Sequence, residues 1–203
     1  MPASAYARGG KRAFDFVAAL AGLLILAPVL AGVALAIAVL DPGPVFFRQT
    51  RVGLGFKPFR LFKFRTMRAA GGGPEITAGG DPRVTPLGRL LRKTKLDELP
   101  QLLNVLAGDM SLVGPRPEVP KYVELFREDY ALVLSVRPGI TDYAAIEYRD
   151  EEAILKTFAD PEKGYIDKVL PEKIKIYRRY LAGMSFATDV KIIAATLWRI
   201  GGS

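Results

Sequence analysis

The chain contains no cysteine, no histidine and only one tryptophan. Without cysteine there are no disulfides, thiol nucleophiles or thiolate metal sites. Without histidine there is no Ser-His or Cys-His catalysis and no imidazole ligation. Chemistry therefore falls to Asp, Glu, Lys, Arg, Tyr, Ser or Thr, and the fitting metal is a hard cation such as Mg²⁺, which prefers oxygen ligands. Charge is also missing locally. No charged side chain occurs from Phe16 to Leu40, and no acidic one from Pro42 to Arg68.

What is present bounds the architecture. A chain of 203 residues, half of them hydrophobic, suits one domain with a sizeable core and an appendage. A formal net charge of +8 implies attraction to an anion: nucleic acid, anionic lipid or a phosphorylated substrate.

The uncharged run FVAALAGLLILAPVLAGVALAIAVL, residues 16 to 40, is long enough to cross a hydrocarbon core about 30 Å thick. It exceeds the apolar stretch of a cleaved signal peptide, roughly 7 to 15 residues. Arg8, Lys11 and Arg12 precede it, and Arg48, Arg51, Lys57, Arg60, Lys63, Arg65 and Arg68 follow. The positive-inside rule therefore draws both ends to the cytoplasmic face. Pro28 lacks an N–H and crowds the carbonyl of Leu24, which predicts a break at Ala27-Pro28. Each half is then about 18 Å long, too short to span alone. The expectation is a re-entrant helix-break-helix over residues 1–41, inserted in one leaflet with Asp15 near the interface, followed by a cytosolic catalytic domain over 42–203. One kinked transmembrane helix is the competing reading.

From Pro42 to Arg68, seven basic residues interleave with Phe46, Phe47, Phe56, Phe59, Phe62 and Phe64. VFFRQTRV and FRLFKFRTM read as strands, and GLGFKP between them as their turn, which gives a β-hairpin. The same mixture suits single-stranded nucleic acid. Directly after an apolar run, however, a polybasic stretch meets anionic head groups, so no nucleic-acid partner is expected. The phenylalanines fit a core face; Lys63 and Arg65 fit a phosphate-facing role. AAGGGPEITAGGDPR, residues 69 to 83, lacks the GK[ST] ending of a P-loop and reads as a mobile loop or lid.

TKLDELPQLLNVLAGDMSLVGPRP carries the densest signal. Pro100 suits a first helical position and Gly108 a stop, so a helix is predicted from Pro100 to Ala107. Asp97 and Glu98 stand at its start, where the positive end of the helix dipole favours an ionised carboxylate. Arg89, Arg92, Lys93 and Lys95 lie upstream and Arg116 follows in GPRP; arginine is suited to bidentate phosphate contact. Helix capping alone explains an isolated Asp-Glu. A carboxylate gathered with several arginines beside a membrane anchor instead suggests phosphoryl-group transfer, with an Asp nucleophile and Mg²⁺ screening the repulsion between carboxylate and phosphate.

KRAFDF, FKFRTM, LDELPQLLNVLAGDMSLVGPRP and RPGIT together resemble the bacterial sugar transferases of the monotopic phosphoglycosyl transferase family, over nearly the whole chain. That resemblance implies transfer of a phospho-sugar from a UDP-sugar to polyprenol (undecaprenyl) phosphate, with UMP as by-product. It implies Asp97 as the nucleophile forming a covalent phospho-sugar and Glu98 completing the dyad, the two together placing Mg²⁺. Arg92 and Arg116 would bind phosphates, and Arg137, Pro138, Gly139 and Thr141 of RPGIT would shape the nucleotide-sugar pocket. The implied location is the cytoplasmic face of a bacterial inner membrane. Two positions depart from the family: Ala27-Pro28 replaces Ser-Pro at the break, and Asp142 follows RPGIT where many relatives have Gly. The sugar and the oligomeric state stay open, a homodimer included. A non-enzymatic scaffold tethered to anionic lipid is the alternative.

In the tail, Val190, Ile193, Leu197 and Ile200 recur at helical spacing beside Lys191, Trp198 and Arg199. Core packing and an interfacial helix fit this pattern equally. The expected class is thus α+β, mainly helical with a small hairpin, monotopic, with interfacial amphipathic helices.

Overall fold

A computed structural model describes residues 6–68 and 77–201. The mobile-loop expectation falls largely on residues 69 to 76, outside the described residues. The architecture is mainly helical with two small two-stranded sheets among the described residues.

A π-helical turn, Tyr6–Gly10, leads into α1, Lys11–Leu40. By length and composition α1 could cross a membrane. It is one helix, continuous through Pro28, rather than two halves divided at Ala27-Pro28. The proline removes a single backbone donor, and residues on either side of it are anchored. Leu23 and Leu26 pack on Leu61, Leu102, Val105 and Met110. Leu30, Val33, Ala34 and Ile37 pack on Phe64 and Leu91. One stripe of α1 is thus docked on the folded domain from end to end. Its other face exposes Val17, Leu24, Ile25, Leu35, Val39 and Leu40.

The predicted hairpin is present. β1 (Phe46–Val52) pairs antiparallel with β2 (Pro58–Phe64), placing Phe46 opposite Phe64 and Phe47 opposite Lys63. Its turn needs left-handed backbone at Gly55 and Phe56. The Phe face is only partly core: Phe64 is buried, whereas Phe46 and Phe47 are exposed.

α2 (Pro86–Thr94) starts with Thr85 accepting a hydrogen bond from Gly88 N–H, 2.9 Å, the usual N-cap contact. α3 is Gln101–Ala107, closed by Gly108 at φ 92°. The predicted start at Pro100 shifts by one residue, because Leu99 takes helical φ/ψ in spite of the proline after it. β3 (Ser111–Val113) pairs in parallel with β4 (Gly139–Thr141). Between them run α4 (Pro120–Leu125) and α5 (Arg127–Val133). After β4 come α6 (Tyr143–Glu147), α7 (Glu151–Lys156), α8 (Pro161–Gly164), α9 (Leu170–Ala182) and α10 (Phe186–Gly201). The largest cluster of buried side chains joins Val52, Tyr122, Tyr130, Leu155, Leu170 and Tyr177 behind the hairpin.

The tail is two helices. Asp189 and Ile192 form the buried side of α10, while Val190, Leu197 and Trp198 face outward, Trp198 with 84% of its surface exposed. Of the predicted apolar stripe, Ile193 packs inward, whereas core packing does not account for Val190 and Leu197.

Candidate active site

Asp97 and Glu98 occupy one 3₁₀ turn, Leu96–Glu98, between α2 and α3. Lys95 opens the turn in left-handed geometry, φ 58°, which is strained for a non-glycine residue. Both carboxylates are largely buried, yet they have opposite surroundings. Glu98 accepts from Arg116 with both oxygens, Nη2 to Oε1 at 2.5 Å and Nη1 to Oε2 at 3.2 Å, and Lys63 Nζ reaches Oε1 at 2.9 Å. Asp97 accepts no hydrogen bond from the described residues, and its Oδ1 is sealed from solvent.

The electrostatics follow. Burial disfavours ionised Glu98, but Arg116 and Lys63 outweigh it and hold the group well below the usual carboxylate range. Glu98 in turn raises Arg116 well above its ordinary value. Burial lowers Lys63. For Asp97 burial wins: it and the neighbouring Glu98 charge raise the pKa, against Lys63, Lys95 and Arg92. The helix dipole was expected to keep Asp97 ionised. The dyad instead lies in the turn before α3, whose first N–H groups are used internally, Leu102 to Leu99 and Leu103 to Pro100.

The other sequence-derived candidates separate into two groups. Lys63 and Arg116 converge on Glu98. Arg92 is close enough to Asp97 to be felt electrostatically, but its guanidinium binds Glu152 at 2.6 Å and Thr66 Oγ1 at 3.0 Å. Arg65 points away: it donates to the carbonyls of Asp41 and Pro42, closing the C-terminal end of α1. Arg137 donates to Gly108 O at 2.8 Å, at the C-terminal end of α3. Pro138 and Gly139 join the β3–β4 ladder, and Thr141 Oγ1 meets Thr196 at 2.7 Å. A Cβ on Gly139 would stand 2.1 Å from Gly114 N. The RPGIT segment thus packs under the GPRP loop and supports Arg116 from behind. Ala27 and Pro28 are exposed on α1.

A family model described as bacterial sugar transferase matches residues 6–202, a span that holds α1, the dyad, Arg116 and α10. The chain belongs to the bacterial sugar transferase family. It is 40% identical over 204 residues to the UDP-glucose:undecaprenyl-phosphate glucose-1-phosphate transferase of Escherichia coli K12, covering 98% of this chain and 41% of that protein. It is 36% identical over 194 residues to the UDP-N-acetylgalactosamine-undecaprenyl-phosphate N-acetylgalactosaminephosphotransferase of Aeromonas hydrophila, covering 92% and 42%. With the exopolysaccharide production protein PSS of Rhizobium leguminosarum bv. phaseoli it shares 47% over 199 residues, 92% of each chain. The chain therefore spans under half the length of the first two relatives.

Further residues of this chain shape the site. Asn104, fully buried, accepts from Phe62 N at 3.0 Å and donates to Arg60 O at 2.8 Å. It completes the open edge of β2 as a neighbouring strand would, and fixes α3 against the strand that carries Lys63. Its signal in the sequence is one amide inside the apolar run LLNVL. Arg12, from α1, donates to Val105 O at 2.5 Å and Leu106 O at 2.9 Å, capping α3 alongside Arg137.

The donor set bears on Mg²⁺. Among the described residues no group of three or more acidic side chains could hold a metal. Asp97 Oδ1 has hard-oxygen character and no other partner, and Mg²⁺ is commonly held by one or two carboxylates plus substrate phosphates. Both Glu98 oxygens are already occupied by cations.

Proposed function

We propose that this chain is a phosphoglycosyl transferase, moving a sugar phosphate from a UDP-sugar to polyprenol (undecaprenyl) phosphate to give polyprenyl-diphosphate-sugar and UMP. The observation that carries the reading is the split dyad: one carboxylate neutralised by two cations, the other buried without a hydrogen-bond partner among the described residues. A nucleophile needs a lone pair that is not committed to another donor. Asp97 meets that requirement and Glu98 does not.

In the proposed mechanism an Asp97 carboxylate oxygen attacks the β-phosphorus of the UDP-sugar. The P–O bond to the α-phosphate breaks and UMP leaves with that bridging oxygen. A phosphate oxygen of the polyprenol phosphate then attacks the aspartyl-bound phosphorus, and the Asp97–phosphorus bond breaks to restore the carboxylate. Glu98 holds Arg116 and Lys63 in place, so that both present positive charge where phosphate oxygens develop charge in the transition state. Burial makes those contacts stronger than in water. Mg²⁺, held by Asp97 and the substrate phosphates, would neutralise diphosphate charge; Glu98 could join it only by giving up a cation.

The lipid substrate calls for a membrane seat. Besides the outer face of α1, large apolar side chains are exposed at Leu90 of α2, Leu103 of α3, and Leu197 and Trp198 of α10. Because α1 is docked on the domain along its length, both of its ends belong on the domain's side of the bilayer. That favours a monotopic helix seated in the cytoplasmic leaflet of a bacterial inner membrane over a full span, with α10 as an interfacial helix.

The test is UMP release by purified protein in detergent, with undecaprenyl phosphate and Mg²⁺, across UDP-glucose, UDP-galactose and UDP-N-acetylgalactosamine. Release with at least one donor that Asp97→Asn abolishes, while liposome binding persists, supports the reading. No release with any donor leaves the tethered scaffold in its place.

A further inference from the structure

The strand pair that carries Arg116 is too small to hold itself. β3 and β4 are three residues each, joined by two register pairs, Ser111 with Gly139 and Val113 with Thr141. A two-stranded ladder is marginal even when longer. Its position must come from outside, and the contacts show from where. On one side Asp15 of α1, 1% exposed, accepts from Leu112 N at 3.1 Å. On the other, Tyr180 Oη of α9 donates its one hydrogen to Asp189 Oδ1 at 2.8 Å and lies 3.3 Å from Val113 O. Lys11 ties the two sides together, with Nζ 2.5 Å from Asp189 Oδ2 and 4.0 Å from Asp15 Oδ1. Tyr6 Oη adds a bond to Asp189 Oδ2 at 2.6 Å. Gly114 follows β3 directly, locked against Gly139, and Arg116 stands two residues beyond.

Taking two carboxylates and an ammonium out of water is costly, and packed apolar side chains in their place would commonly be no less stable. What the charged arrangement supplies is direction. A carboxylate bound to one backbone N–H fixes the register of one strand. A displacement of about 1 Å at a positioning group can cost on the order of 100-fold in rate.

We infer that Asp15, on the helix that seats the chain in the membrane, is a positioning residue for Arg116, acting through the Leu112 N–H with Tyr180 as its counterpart across β3. The position of the phosphate-binding guanidinium is thereby coupled to that of α1. The inference rests on the reading of Arg116 as a phosphate ligand.

The experiment is a double-mutant cycle on the full chain in nanodiscs, combining Asp15→Ala with Arg116→Lys. Its readout is UMP release with whichever of the three donors above the wild type uses best. Asp15→Ala is expected to lower kcat/KM about 10- to 100-fold with liposome binding retained, and to lose most of that effect in the Arg116→Lys background. Asp15→Asn, which keeps the acceptor oxygen, should restore most of the rate. Additive losses in the cycle, or an Asn variant as impaired as Ala, would overturn the assignment. Should Asp15→Ala fail to fold, Tyr180→Phe replaces it, with the same non-additivity expected and additivity again contradicting the proposal. Hydrogen exchange over residues 111–116 separates this inference from the activity itself: faster exchange in the variant supports it even if no donor is turned over, and unchanged exchange defeats it even if one is.

Discussion

Arg116 grips Glu98 with both guanidinium nitrogens, at 2.5 and 3.2 Å, while the adjacent Asp97 accepts no hydrogen bond from the described residues. Two neighbouring carboxylates of the same turn are thereby driven to opposite protonation behaviour. In the proposed mechanism the pair separates a residue that organises charge from one that reacts.

Glu98→Gln should be the more damaging of the dyad substitutions for stability. It leaves Arg116 and Lys63, both partly buried, without their anion, a loss of about 1.5–3 kcal/mol. The pH dependence has a definite sign. Because the folded pKa lies below the ordinary Glu value, the stabilisation is fully present above that value and is lost as pH falls through the folded pKa. Thermal denaturation of wild type and Glu98→Gln between pH 3 and pH 7 checks this; curves that keep a constant separation would contradict it.

Asp97→Asn should behave in the reverse way. A carboxylate whose pKa is raised by folding favours the native state below its unfolded pKa, and this contribution is lost as pH rises through the folded value. At pH 7 the variant should therefore unfold no lower than wild type, with UMP release abolished. The acid limb of the wild-type kcat/KM profile should fall above the ordinary carboxylate range, since the reactive form is ionised. A variant that melts earlier would refute the account of an uncompensated charge.

Asn104→Ala should cost about 2–4 kcal/mol, because it orphans two backbone groups on β2, Phe62 N–H and Arg60 C=O. The loss should extend to activity, since β2 carries Lys63. Denaturant unfolding in detergent measures the first effect and UMP release the second.

Much of this was legible in the sequence, for local reasons. Gly and Pro placed the hairpin turn and the end of α3, and the charge-free run located α1. Of the candidate residues, Lys63 and Arg116 are the ones the fold brings onto the Asp97–Glu98 turn. Arg65 suggested phosphate binding because a guanidinium offers the same donors to a phosphate as to a helix's last carbonyls, and Arg137 was implied only by the family resemblance of RPGIT. Which of the two a guanidinium meets depends on Asp41 and Gly108 being brought to it by folding. The continuity of α1 was illegible for the same kind of reason: after Pro28 its second half packs on Phe64 and Leu91. Asp15 and Asn104 serve backbone groups nearly a hundred and about forty residues away, distances that no local pattern spans.

The membrane seat has its own check, made simple by a chain that lacks cysteine. Single cysteines at Ala5 and Val45, on the two flanks of α1, should both react with a membrane-impermeant maleimide applied from the cytoplasmic side of inverted vesicles. Protection of one of them would establish a full span.

The proposed mechanism attaches the sugar phosphate covalently to Asp97. The intact mass of the protein, measured after incubation with UDP-sugar and Mg²⁺ in the absence of polyprenol phosphate, tests this. A stoichiometric burst of UMP is expected with a mass increment of one phospho-sugar, mapped by proteolysis to the peptide holding Asp97 and discharged when polyprenol phosphate is added. Turnover in the full reaction with no increment at any time, or an increment on a peptide without Asp97, would contradict it.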